Sequence, residues 1–281
     1  VVKLHRDGIA ADVLHALEFG AGALPFKNPE IVYLTGNVGR LGFQAASKHE
    51  LLEGILQGVR MAAGPDVSVV VPTHSWSLVG SDTPFDRALT PSETGPLTEL
   101  VRRQPGSVRQ RHPFGSVTAL GPLAERLCGK STRHLYGPDT PYDRILKHDR
   151  VAGVSLGMQP HRAVTVVHHV EFTMGVPYRY TKEFLHPISE EGQVTVEPFY
   201  LYVTYRDMDI RRDRNARFFA AYEADGPIKQ APLNRSVAYG FDLVRFAATA
   251  RAMMAEDIYA WLESPPEQRP FRQSSSELAS Q

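Results

Sequence analysis

The sequence holds a single cysteine, Cys128. An intrachain disulfide and a multi-cysteine metal site are both excluded, and a reducing, cytoplasmic setting is expected. Neither sign of charge is in excess: 31 Lys and Arg stand against 31 Asp and Glu in 281 residues. That balance argues against bulk affinity for nucleic acid. No apolar run approaches the roughly 20 residues of a transmembrane helix, so no membrane partner is expected. The opening VVKLHRDGIA has no long apolar core behind a basic stretch, so no secretory leader is expected. What is present is ordinary for a folded chain. Apolar residues make up 42% and charged ones 22%, too apolar for disorder and long enough for one large domain or two small ones.

The apolar pattern alternates between strands and helices. Residues 8–20 place Ile9, Val13, Leu14 and Leu17 on one helical face, closed by Gly20. Residues 31–35 form a short buried strand, followed by Gly36, Gly39 and Gly42 and then a helical pattern from Phe43 to Met61. Residues 67–72 read as the next strand. Strand, glycine-rich turn, helix, strand is a βαβ unit, so part of the sheet is expected to be parallel. A helix is predicted over 93–103, capped by Thr90-Pro91-Ser92, then a strand from Ser116 to Leu120 and a short helix opened by Gly121-Pro122. Residues 151–156 are a third buried strand. Residues 163–172 suit a strand by their β-branched content, although their chemistry favours a helix. Residues 193–205 look like long antiparallel strand, with Pro198 at a bulge or edge. Helices are predicted over 213–224 and 241–262. The expected fold is α/β: one domain over 1–263, three layers α/β/α with a mixed central sheet, a β-rich antiparallel insertion in its second half, and a loose tail over 264–281.

Four segments could carry chemistry. Thr35, Gly36, Asn37, Val38, Gly39, Arg40 and Leu41, with Gly42, lie between a strand and a helix. There glycine permits close backbone approach to a pyrophosphate or an amide-bearing arm. The segment lacks the Lys-Ser/Thr of a Walker loop and the spacing of a dinucleotide fingerprint, and a plain glycine turn explains it equally well. Thr73 and Ser75 follow a buried strand, where ligands bind in α/β sheets and where hydroxyls also cap turns. His112 and Ser116 flank a loop beside Arg109 and Arg111, either a phosphate contact or a solvated basic turn. Thr165, His168 and Glu171 are spaced three apart and share one helical face, which aligns a hydroxyl, an imidazole and a carboxylate. A carboxylate beside a histidine makes a general base. A core histidine is the alternative, and a metal pair a third reading, although two ligands do not make a site.

In order along the chain, these segments resemble the aminoglycoside 3-N-acetyltransferase family. The resemblance runs over residues 30–175. It is carried by Asn37 to Gly42, by Pro72-Thr73-His74-Ser75 and by Phe85-Asp86-Arg87-Ala88-Leu89-Thr90-Pro91-Ser92 with Gly95. Further on it is carried by Arg102-Arg103 with Pro105-Gly106, by Arg109 and His112-Pro113 with Ser116, by Tyr136 to Tyr142, and by Thr165, His168 and Glu171. It implies acetyl-CoA as donor, a small-molecule primary amine as acceptor and no metal. His168 would accept the amine proton, Glu171 would orient it, and Thr165 would support the imidazole or the oxyanion. Thr35 to Leu41 would hold the pantetheine arm and pyrophosphate, with Thr73, Ser75, His112 and Ser116 lining the same channel.

Two departures bear on the acceptor. Gly36-Asn37 stands where many members have Ser-Ser, and Gln159-Pro160-His161-Arg162 replaces the Asp-x-Asn that often precedes the threonine. A polycationic aminoglycoside calls for an acidic trough, yet His161, Arg162, Tyr178, Arg179, Lys182, Arg211 and Arg212 lie in the acceptor half. The expected acceptor is therefore an anionic or neutral amine, such as the nucleotide-linked aminoalkylphosphonates of phosphonate-antibiotic biosynthesis. An amino sugar or aminoglycoside is the alternative. A metal-dependent hydrolase and a non-catalytic CoA-binding module are rivals of another class. Residues 193–205 are open to use as a homodimer interface or as a substrate lid.

Overall fold

A computed structural model describes residues 3–160, 165–212 and 216–269. Helix α1, Arg6–Leu17, is followed by β1, Ile31–Gly36, and, after a segment holding a short 3-10 turn, Val38–Leu41, by α2, Lys48–Ala63. Next come β2, Ser68–Pro72, β3, Phe85–Asp86, α3, Pro96–Arg102, β4, Ser107–Arg109, and β5, Val117–Leu120. A short helix α4, Pro141–Ile145, precedes β6, Val151–Leu156, and α5, Val166–Met174. The second half adds β7, Arg179–Glu190, β8, Gln193–Thr204, α6, Ala216–Ala224, β9, Lys229–Leu233, β10, Ser236–Asp242, and α7, Leu243–Glu256.

Seven strands form one mixed sheet in the order β4-β5-β2-β1-β6-β10-β9. The centre is parallel: Ile31 pairs with Ser68 of β2 and with Val151 of β6. The flanks are antiparallel. Successive side chains of β1 point to opposite faces. Val32 and Leu34 join Ile9, Val13, Leu52 and Ile55 under α1 and α2, while Ile31 and Tyr33 join Val166, Val170, Phe241 and Phe246 under α5 and α7. Both faces are therefore covered, which gives the expected three layers. Helices α1 and α2 lie so close that a Cβ on Gly58 would stand 2.6 Å from Val13 Cβ and from the Ala10 carbonyl.

The β-rich insertion is a long hairpin. β7 and β8 pair without interruption from Arg179↔Thr204 to Glu190↔Gln193, and β3 pairs with β7 to complete a three-stranded sheet. Glu191 and Gly192 both take positive φ, 52° and 79°, as a two-residue hairpin turn requires. Pro198 sits on the outer strand opposite Leu185 and makes no bulge, so it marks an edge.

Several boundaries differ from the sequence reading. The helix expected from Phe43 starts at Lys48, capped by the Ser47 hydroxyl, which accepts from the Glu50 N–H at 3.1 Å. Before it, Ala45 bridges Leu4. The helix predicted over 93–103 is shorter and opens at Gly95 and Pro96. That predicted over 241–262 begins at Leu243, because residues 236–242 form a strand and the Asp242 carboxylate accepts from the N–H groups of Val244 and Arg245. Residues 163–172 resolve in favour of a helix from Val166. The tail expected from Ser264 falls largely outside the described residues. Among the described residues no helix is long and apolar enough to cross a membrane.

Candidate active site

The parallel strands β1, β2 and β6 present their carboxyl ends along one edge of the sheet, where open α/β folds bind ligands. Thr35-Gly36 leaves that edge from β1 and Thr73-His74-Ser75 leaves it from β2. Gly36 is fixed by close approach: a Cβ there would stand 2.5 Å from the Leu156 carbonyl of β6. Helix α5 follows β6 in the chain and carries His168 and Glu171 one turn apart.

Glu171 is wholly buried and held from three sides. His168 Nδ1 is 2.6 Å from one of its oxygens, Arg179 Nε is 3.0 Å from the same oxygen, and the Tyr178 hydroxyl donates to the other at 2.9 Å. Arg179 donates in turn to the Tyr202 carbonyl. Burial works to raise the Glu171 pKa, but the charge and hydrogen bond of His168 and the charge of Arg179 outweigh it and hold the carboxyl below its ordinary value. Burial lowers the His168 pKa. Glu171 opposes that effect, and Arg179 and Arg212 add to it, so the imidazole is neutral at neutral pH. With Nδ1–H donating to Glu171, the lone pair lies on Nε2. In this structure Arg212 Nη1 is 3.2 Å from that nitrogen. The edge of the Tyr136 ring closes another side. The result is a partly buried neutral imidazole, oriented by an ionised carboxylate and faced by the Arg212 guanidinium.

A family model for aminoglycoside 3-N-acetyltransferase matches residues 40–255. The chain belongs to the aminoglycoside 3-N-acetyltransferase family. It is 37% identical over 100 residues to aminoglycoside N(3)-acetyltransferase IX of Micromonospora chalcea, a stretch that covers 35% of each chain. It is 33% identical over 112 residues to aminoglycoside N(3)-acetyltransferase VII of Streptomyces paromomycinus, covering 39% of this chain and 38% of that protein. These alignments span a little over a third of the relatives' length. Among solved structures, AAC-IIIb in binary complex with CoASH superposes with a TM-score of 0.73 at 19% identity, over 91% of this chain and 97% of that one. AAC-VIa bound to sisomicin gives 0.72 at 18%, over 91% and 98%. At such identity the likeness is one of fold.

The residues expected at the family's site fall into three groups. His168 and Glu171 meet as a bonded pair. Thr165 stands at the head of α5 and neighbours the buried hydroxyls of Tyr33 and Tyr142. The donor-site residues divide by burial. Asn37, Gly39 and Arg40 are exposed, whereas Thr35, Val38 and Leu41 are buried in the sheet and its core. Thr73, Ser75, His112 and Ser116 are buried as well, and their polar atoms bond within the chain, except His112 Nε2, which has no partner. Thr73 Oγ1 reaches the Thr118 hydroxyl at 2.9 Å, and Ser75 Oγ donates to the Pro91 carbonyl at 3.0 Å. Arg109 donates to the hydroxyls of Ser116 and Ser75, and His112 Nδ1 accepts from the N–H groups of Phe114 and Gly115. These bonds tie the residues after β2 to the segment 109–118.

Of the residues expected at the acceptor site, Tyr178 and Arg179 both turn to Glu171. His161 and Arg162 lie outside the described residues. Sequence reasoning gave no role to Tyr136 or Tyr202, whose place depends on the packing of distant segments. Among the described residues, no group of three or more His, Cys, Asp or Glu stands close enough to hold a metal ion.

Proposed function

We propose that the chain transfers an acetyl group from acetyl-CoA to a primary amine, with His168 as general base. The observation that carries this reading is the 2.6 Å contact of His168 Nδ1 with the buried Glu171, which leaves Nε2 as the basic atom. An amine at neutral pH is mostly ammonium and cannot attack a thioester until it has lost one proton to solvent. His168 Nε2 takes a second proton from the free amine as the C–N bond forms, and Glu171 stabilises the imidazolium that results. Tyr178 and Arg179 hold Glu171 in place, and Thr165, one turn before His168, is placed to support the imidazole or the developing oxyanion. For the donor, Gly36, Asn37, Gly39 and Arg40 are the residues at the strand edge with surface to offer. The fold match to a CoASH complex supports that assignment.

For the acceptor, the relatives' names favour an aminoglycoside-type amine over the phosphonate suggested by the charge balance. The second reading, an amine with an anionic group beside it, rests on Arg212. Its guanidinium occupies the approach to Nε2, and an anion on the acceptor would draw it aside while the amine takes its place. Thiol release from acetyl-CoA, measured against kanamycin-type polyamines and against aminoalkylphosphonates with their nucleotide conjugates, separates the two. A preference for polyamines supports the first reading. A preference for phosphonates that is lost in Arg212→Ala supports the second, and no turnover with any amine refutes the transferase.

A further inference from the structure

His74 stands between Thr73 and Ser75, just past the carboxyl end of β2. Its backbone is pinned on both sides. Thr73 N–H donates to the Ser116 carbonyl, Ser75 N–H donates to the Phe114 carbonyl, and the His74 carbonyl accepts from Glu93 N–H, each at 2.8 Å. The side chain is 6% exposed, and its Nε2 is buried with no hydrogen-bond partner. Such an atom is uncommon, because buried donors are nearly always paired. The neighbouring buried hydroxyls have partners within the chain; His112 is bonded through Nδ1, while its Nε2, like that of His74, has no partner. His74 also lies close enough to His168 and Arg109 for their charges to act on it. Burial first, then the positive charge that His168 and Arg109 carry when protonated, hold its pKa down to about 3, so the ring is neutral and carries one N–H. Trp76, 45% exposed, packs edge-on against the ring with centroids 4.9 Å apart and forms one wall over it.

We propose that His74 is a catalytic residue whose Nε2–H binds the thioester carbonyl oxygen of the donor. This rests on the acetyl-transfer reading above. A neutral imidazole donor polarises a carbonyl without adding a second positive charge beside His168, which becomes cationic during the reaction. As the amine nitrogen forms its bond to the carbonyl carbon, the C=O π pair moves onto oxygen and the N–H of His74 meets the developing charge. The amine proton passes to His168 Nε2. Collapse re-forms C=O and breaks C–S. The electron pair leaves on sulfur, and the thiolate takes the proton from His168, giving the amide and CoA thiol.

The test compares His74→Leu with His74→Gln, which restores a side-chain N–H. Three readouts are taken on folded protein checked by thermal melting: kcat, acetyl-CoA binding followed by Trp76 fluorescence, and the infrared carbonyl stretch of bound acetyl-CoA. The leucine variant is expected to lose about 10²–10³-fold in kcat, with acetyl-CoA affinity within a few-fold of wild type. The carbonyl stretch, shifted to lower frequency on the wild type, returns toward its solution value. The glutamine variant is expected to recover most of the rate and of the shift. A leucine variant with wild-type kcat and an unchanged stretch overturns the proposal, as does a loss that lies entirely in acetyl-CoA affinity. A wild-type chain that binds no acetyl-CoA overturns the transferase reading itself, and the flat titration identifies that failure.

Discussion

Glu171 stays ionised in a buried position because a histidine, an arginine and a tyrosine all point at it. Its folded pKa and that of His168 are both lowered. Below the ordinary imidazole value of 6.5, the unfolded chain binds a proton at His168 before the folded chain does. Stability is therefore lost as pH falls through that range, and lost further as pH falls through the lowered value of Glu171. For activity, the acid limb of kcat/KM is expected below pH 6.5. Glu171→Gln removes the group that raises the basicity of His168, so it should move that limb to lower pH and cut kcat by about 10²-fold, read from pH–rate profiles. Arg212→Ala removes a cation beside His168 and should move the same limb upward. Opposite shifts in the two variants would contradict the electrostatics described here. The sequence made His168 and Glu171 legible because a spacing of three on a helix leaves little choice of geometry. The contacts of Tyr178 and Arg179 with Glu171 were not legible, because they depend on how the start of β7 packs against α5, which no local pattern reports.

The elements that build the site are held by ordinary means, and their caps and close approaches are testable. Asp242→Ala leaves two N–H groups of α7 without their acceptor and should cost about 1 kcal/mol in chemical denaturation. Gly58→Val places methyl groups into the backbone and side chains of α1 and should cost about 3 kcal/mol or more. If both variants unfold like wild type, the packing given for α1, α2 and α7 is wrong. The buried parallel strands were readable because each is a short, largely apolar run, buried almost from end to end. The short strands β3 and β4, and β7 with Lys182 and Glu183 on a solvated stretch, carry no such run. The start of α2 was misplaced because Phe43 and Ala45 continue a helical spacing, while their backbone joins the bridge to Leu4.

For the whole molecule, a net charge of zero is an average that hides a divided interior. The site concentrates Arg179 and Arg212 around one buried carboxylate, and Arg109 is buried without any acidic hydrogen-bond partner among the contacts that brace Thr73, Ser75 and Ser116. That interior also encloses the single thiol. Cys128 is fully buried, and burial pushes its pKa up to about 12. The native chain should therefore give no reaction with a thiol reagent at pH 8, and one thiol per chain should appear only on global unfolding. Fast native labelling would place Cys128 outside the core. The resemblance over residues 30–175 located the family and the two-layered helical cover of the sheet. It did not reveal that the supporting hydroxyls face inward, because their partners lie in segments far apart in sequence.

The account turns on His168 as the base of acetyl transfer, and single-turnover acetylation tests it most directly. Wild type and His168→Ala are mixed with acetyl-CoA and the best amine of the panel, and the amide is followed at neutral pH. The variant is expected to retain acetyl-CoA binding and to transfer acetyl about 10²–10⁴-fold more slowly. Transfer at the wild-type rate by His168→Ala would contradict the role assigned to the His168–Glu171 pair.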